Sequence, residues 1–87
     1  MRWCLNVAGK SGQFETIYDY WGDKGRAEAE ALAKASQDEL VNNGLICGVS
    51  AELFAAHALT ESEYDTAVEI LIKHREELNG GLTCPAL

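Results

Sequence analysis

The sequence predicts an α+β domain: an antiparallel β-hairpin, with residues 45–49 open to reading as a third short strand, packed against three helices. Three observations carry this. Residues 2–8 alternate apolar and polar side chains, residues 13–21 are dense in aromatic and β-branched types, and two later stretches repeat apolar residues every three or four positions. The first two patterns belong to strands and the third to helices. A chain of 87 residues is long enough for one modest core. Its 47 % hydrophobic and 24 % charged residues mark a folding chain rather than a disordered one. The single domain is expected to span residues 1–81, with a tail over 82–87.

The first strand places Trp3, Leu5 and Val7 on one face and Arg2, Cys4, Asn6 and Ala8 on the other. Gly9, Lys10, Ser11 and Gly12 supply a turn, and Phe14, Thr16, Ile17, Tyr18, Tyr20 and Trp21 make the second strand. Asp23 is the expected N-cap of a first helix, with Ala29, Leu32, Ala33, Ser36 and Leu40 on its core face and Gly44 as its stop. Residues 45–49 are too few for periodicity to separate a strand from a buried connection. Ser50 is expected to cap a short helix over Ala51–Leu59, apolar almost all round. Thr60 and Glu63 fit a capping box, and Leu59 with Tyr64 a hydrophobic staple, so a last helix begins at Glu61. It is expected to end near Leu78, before Asn79, Gly80 and Gly81, with Tyr64, Ala67, Val68, Leu71, Arg75 and Leu78 along its core stripe. Ile70 lies roughly 110° from the centre of that stripe.

Several chemistries fail on spacing. Gly9, Lys10 and Ser11 spell the end of a phosphate-binding loop, but Cys4 stands where its first glycine belongs. Asp19, Asp23 and Gly25 resemble a calcium loop whose remaining ligand positions are missing. Cys4, Cys47, Cys84, His57 and His74 are too scattered for a zinc site or a nucleophile–base pair. No catalytic residue, cofactor or metal is therefore expected. Cys84, Pro85, Ala86 and Leu87 match the outline of a prenylation box, but no polybasic stretch precedes them. No stretch has the length of a membrane span or the shape of a signal peptide, and three widely spaced cysteines exclude a disulfide framework. A cytoplasmic protein with reduced thiols is the resulting expectation.

Charge is the most informative remaining feature. From Ala35 to Ile72 there are seven carboxylates and no Lys or Arg, and the other 49 residues carry seven of each sign. A net charge of −7 opposes direct binding to nucleic acid or to anionic membrane and favours a partner protein with a basic surface. Glu61, Asp65 and Glu69 form a row four residues apart on the last helix, with Asp38 and Glu39 as candidate neighbours. Tyr18, Tyr20 and Trp21 form a second candidate contact, because exposed aromatics dominate interface energetics. The expected function is a non-enzymatic inhibitor that occludes a basic, nucleic-acid-handling surface of a partner. In size, acidity and lack of catalytic residues the chain resembles in type the small phage-encoded inhibitors of host machinery, such as anti-CRISPR proteins. No motif carries that resemblance and no residue role follows from it. The alternative is a structural protein that self-associates as a homodimer through the Ala27, Ala31, Ala35 ridge or the hairpin edge.

Overall fold

The computed structural model describes residues 1–9, 14–51 and 59–83, with side chains described as far as Asn79. It is an α+β fold with the order β1 (Arg2–Ala8), β2 (Phe14–Trp21), α1 (Gly22–Asn42), β3 (Ile46–Ser50) and α2 (Glu61–Thr83). The three strands form one antiparallel sheet in the order β2-β1-β3. The chain reaches β3 from β2 through α1, so two strands that run the same way flank a central one and the helix crosses one face of the sheet. The apolar run at residues 45–49 is thus a strand, offset by one residue from the expected span.

Alternation sorts the sheet into two faces. Trp3, Leu5 and Val7 point with Tyr18, Tyr20, Cys47 and Val49 toward the helices, as the register pairs Trp3 with Tyr20, Leu5 with Tyr18 and Val49, and Val7 with Cys47. A bulge between Leu5 and Asn6 leaves Ile17 as the extra residue, and Ile17 packs against the core. The other face is polar in its middle. Thr16 Oγ1 donates to Asn6 Oδ1 at 2.6 Å and Asn6 Nδ2 donates to Ser50 Oγ at 2.9 Å, a relay across all three strands. Arg2 grips Asp19 through both carboxylate oxygens at 2.9 and 3.0 Å. Cys4 belongs to this face and Cys47 to the opposite one, so alternation alone keeps the two free thiols apart.

The core joins Leu5 and Val7 of β1 to Ala29, Leu32 and Leu40 of α1 and to Ala67, Ile70 and Leu71 of α2. The expected core face of α1 is observed, with Gly25 added to it and Ala33 only partly buried. Its C-terminus is a Schellman motif, as expected from Gly44. The glycine has φ +77°, its N–H donates to Val41 O at 2.9 Å, and the Leu45 N–H donates to Leu40 O at 2.9 Å.

Four expectations are corrected. Asp23 is not the N-cap, because β2 stays paired to Trp21 and the chain turns into α1 at once through Gly22. Trp21 therefore occupies the cap position without a side-chain bond, and Met1 O accepts the Gly22 N–H at 2.8 Å. The fold has two helices among its described residues rather than three. Residues 52–58 of the expected short helix lie outside the described residues, and its ends, Ala51 and Leu59, are not helical. Helix α2 continues past Leu78 through Gly80 and Gly81 to Thr83. Glycine weakens a helix by roughly 1 kcal/mol per residue without forbidding it, whereas Pro85 two residues beyond disfavours helical geometry at the residue before it. Finally, the buried stripe of α2 is rotated toward Ile70, which is 5 % exposed, and away from Val68, which is half-buried, and Arg75, which is exposed. The expected turn over Gly9, Lys10, Ser11 and Gly12 lies outside the described residues from Lys10 onward, and so do residues 84–87.

Candidate functional site

The rotation of α2 follows from how α1 meets it. Glu39 of α1 accepts from Lys73 Nζ at 2.8 Å and lies 3.0 Å from His74 Nε2, while the other ring nitrogen of His74 is 3.2 Å from Glu77. Leu32 and Ala31 of α1 share a cavity wall with Leu78 of α2. Lower numbers on one helix thus meet higher numbers on the other, and the two run antiparallel. This packing turns Lys73 and His74 toward α1, with Ile70 one turn before His74 on the same side.

Glu39 is therefore occupied in a clasp between helices rather than presented to a partner. Hydrogen bonds from Lys73 and then His74 hold its carboxyl below the usual value of 4.5. The Glu39 bond in turn raises Lys73 above 10.5. A carboxylate whose pKa falls on folding adds stability above its unfolded value and loses it as pH drops through the folded one. An ammonium whose pKa rises adds stability that is lost as pH climbs through its folded value. Glu39→Gln should accordingly flatten the fall in thermal stability between about pH 5 and pH 3, read by circular-dichroism melts across that range. An unchanged acid limb would show that the clasp does not couple to folding.

With Lys73 withdrawn to Glu39, the outer face of α2 carries no base. Its other base, Arg75, is also turned away, with its guanidinium 4.6 Å from the centre of the Tyr18 ring. What remains exposed is a line of Glu61, Asp65, Glu69, Ile72 and Glu76, at successive steps of four, four, three and four residues. It covers about 22 Å along the helix. No ion pair involves these four carboxylates among the described residues. Ile72 is 41 % exposed in the middle of them.

The line begins from a well-fixed end. Thr60 and Glu63 form the expected capping box: the Glu63 N–H reaches Thr60 Oγ1 at 3.3 Å and the Thr60 N–H reaches Glu63 Oε1 at 3.2 Å. Leu59 beside it is buried, and Gly9 at the end of β1 approaches so closely that a Cβ there would lie 2.9 Å from Glu63 Oε2 and 3.3 Å from Leu59 Cδ2.

The other sequence-derived candidates are dispersed. Asp38 is exposed on α1, about 100° round the helix from Glu39, and does not join the line on α2. Tyr20 is 8 % exposed and belongs to the core. Tyr18 is half-buried between Tyr20, with ring centres 6.2 Å apart, and Arg75. Trp21 points to the opposite face of the sheet and is 67 % exposed. Glu76 and Ile72 are the additions that sequence spacing missed. The signal was present, since a row at steps of four drifts across a helix surface and a step of three restores it. Among the described residues no three His, Cys, Asp or Glu side chains gather closely enough to hold a metal ion. No helix among them is long and apolar enough to cross a membrane.

Comparison of the chain with family models, with curated proteins and with solved structures yields no match in any of the three.

Proposed function

We propose that the chain is a binding module rather than an enzyme, and that the outer face of α2 docks on a basic surface of a partner protein and occludes it. One observation carries the reading: both bases of α2 are engaged on other elements, leaving, among the described residues, four carboxylates without an ion pair around a half-exposed isoleucine on a face that no described element covers. The ordinary reason for acids on a helix, attraction to the positive end of its dipole, applies to Glu61 and Glu63 in the first turn. It does not reach Asp65, Glu69 or Glu76. Like charges four residues apart mildly destabilise a helix, so this row works against the fold's own stability. A central apolar contact ringed by charge is also the usual anatomy of an interface.

A basic surface spaced for carboxylates in a line is what proteins that hold a nucleic-acid backbone present. The chain would thus act as an inhibitor of a nucleic-acid-handling protein, in the manner of phage anti-defence proteins. Self-association through this face is disfavoured because two copies would bring eight carboxylates together.

The test is capture of partners from a candidate host lysate by the full chain and by a variant with Glu61, Asp65, Glu69 and Glu76 all replaced by Gln. At roughly 0.2–1 kcal/mol per exposed pair, four pairs amount to about 1–4 kcal/mol, or about five- to a thousandfold in affinity. Capture is expected to fall by that factor in the variant, to weaken with salt, and to be reversed by added duplex DNA. Retention by the variant at high salt would overturn the reading.

A further inference from the structure

A cavity of about 250 Å³ lies where the N-terminal half of α1 faces the C-terminal half of α2. Its floor is Tyr20 and Leu32, 8 % and 1 % exposed, and Ala31, Leu78, Arg75 and Glu28 stand round it. Four polar side chains line it: Tyr20, Glu28, Arg75 and Asn79. The Tyr20 hydroxyl makes no hydrogen bond among the described residues, although the residue is more than nine-tenths buried, and no buried side-chain polar atom among them is both sealed from solvent and unpaired. The hydroxyl therefore opens into the cavity. Arg75 has its guanidinium carbon 4.6 Å from the centre of the Tyr18 ring, and among the described residues it has no carboxylate partner and Glu28 has no cation.

The hydroxyl of an otherwise buried tyrosine, a guanidinium and a carboxylate thus border one cavity with hydrogen-bonding capacity open to a ligand. Both charged groups act on the same phenol: burial pushes the Tyr20 hydroxyl above its usual value of 10.0, Arg75 pulls it down and Glu28 pushes it up. The cation–π contact with Tyr18 restrains the Arg75 guanidinium without using its N–H donors.

We infer that this cavity binds a free α-amino acid with an aliphatic side chain: its carboxylate on Arg75 and the Tyr20 hydroxyl, its ammonium on Glu28, and its side chain against Ala31, Leu32 and Leu78. Two opposite charges held apart beside an apolar wall match a zwitterion with an apolar arm, and no singly charged ligand satisfies both. The volume is just under the roughly 300–1,000 Å³ of pockets for drug-sized ligands, which suits a smaller molecule. This site is separate from the outer face of α2 and does not depend on its role.

Isothermal titration of the full chain tests the inference with L-leucine, with isocaproate, which lacks the ammonium, and with isoamylamine, which lacks the carboxylate. Leucine should bind in about the micromolar to millimolar range expected for so few atoms, and each analogue at least about tenfold more weakly. Tyr20→Phe keeps the ring and removes only the hydroxyl, Arg75→Gln removes the carboxylate contact, and Glu28→Gln changes an exposed residue that no core contact needs. Each should weaken leucine by about tenfold or more, with the melting temperature of Glu28→Gln unchanged. The inference is overturned by no heat at about 10 mM leucine, by isocaproate binding as tightly as leucine, or by Glu28→Gln and Tyr20→Phe binding leucine like the parent chain.

Discussion

Truncating Leu5 to alanine is expected to lower the free energy of unfolding by about 3–4 kcal/mol, within the range of buried leucine truncations. A chain of this size has on the order of 4–13 kcal/mol in all, so the variant should sit near the edge of folding at 37 °C. Leu5 is wholly buried at the middle of the central strand, paired with Tyr18 on one side and Val49 on the other. β2 and β3 touch each other only through β1. A cavity at Leu5 therefore loosens both strand pairings and the seat of α1 together, and nothing beside it can collapse without breaking register. Urea denaturation followed by circular dichroism reads the loss as a lower midpoint at unchanged slope. Ile72→Ala is the matched control: 41 % exposed, it should change stability by no more than about 0.5 kcal/mol. A loss below about 1 kcal/mol at Leu5 would mean that the sheet does not depend on its central strand in this way.

The separation between those two residues is also a separation between fold and binding face. Leu5, Leu32 and Leu71 are fully buried in the shared core, whereas Glu61, Asp65, Glu69, Ile72 and Glu76 lie on a surface no described element covers. Replacing the four acids by glutamine removes like-charge pairs at i,i+4 and should leave stability equal or slightly higher. A loss of capture by that variant would consequently report on recognition and not on unfolding.

Local signals in the sequence were read correctly where local chemistry decides. Thr60 and Glu63 start α2 because two side chains and two backbone N–H groups satisfy each other within four residues. Gly44 ends α1 because only a residue free to take φ +77° closes that Schellman turn. β1 was legible because one face meets helices and the other carries the Thr16, Asn6, Ser50 relay, so its alternation is clean. Where the outcome is tertiary, the sequence was silent. The phase of the α2 stripe depends on α1 lying along its Ile70 side, and the clasp that fixes this joins residues 34 and 35 positions apart. For the same reason Lys73 looked like the end of the acidic row and is instead withdrawn from it. Tyr18, Tyr20 and Trp21 are adjacent in sequence, yet strand pleat sends Trp21 to one face and the two tyrosines to the other. The neutral-looking Gly25 gave no signal at all.

That glycine is where the second large effect is expected: Gly25→Val should destabilise the fold by about 3 kcal/mol, the upper part of the usual range for overpacking a filled site. β2 ends at Trp21 and α1 begins at Gly22, so the first helical turn folds directly back over the strand it has just left. Gly25 is buried there, and a Cβ on it would stand 3.0 Å from the Tyr20 carbonyl carbon and 3.1 Å from the Tyr20 Cβ. Those atoms are backbone and root of a residue paired in the sheet with Trp3, so they cannot swing aside as a side-chain tip would. Alanine at this position gains roughly 1 kcal/mol of helix propensity against the same tight contact, and it should come out neutral to mildly destabilising. Valine adds two methyl groups to the contact and gives up part of the propensity gain, since β-branched residues lose rotamer freedom in a helix. The two variants, compared by chemical denaturation, should therefore separate by at least about 2 kcal/mol. Because the strained contact is to Tyr20, the alanine variant should also bind leucine more weakly than the parent chain while remaining folded. Valine tolerated at parent stability would show that the start of α1 does not rest on the Tyr20 backbone.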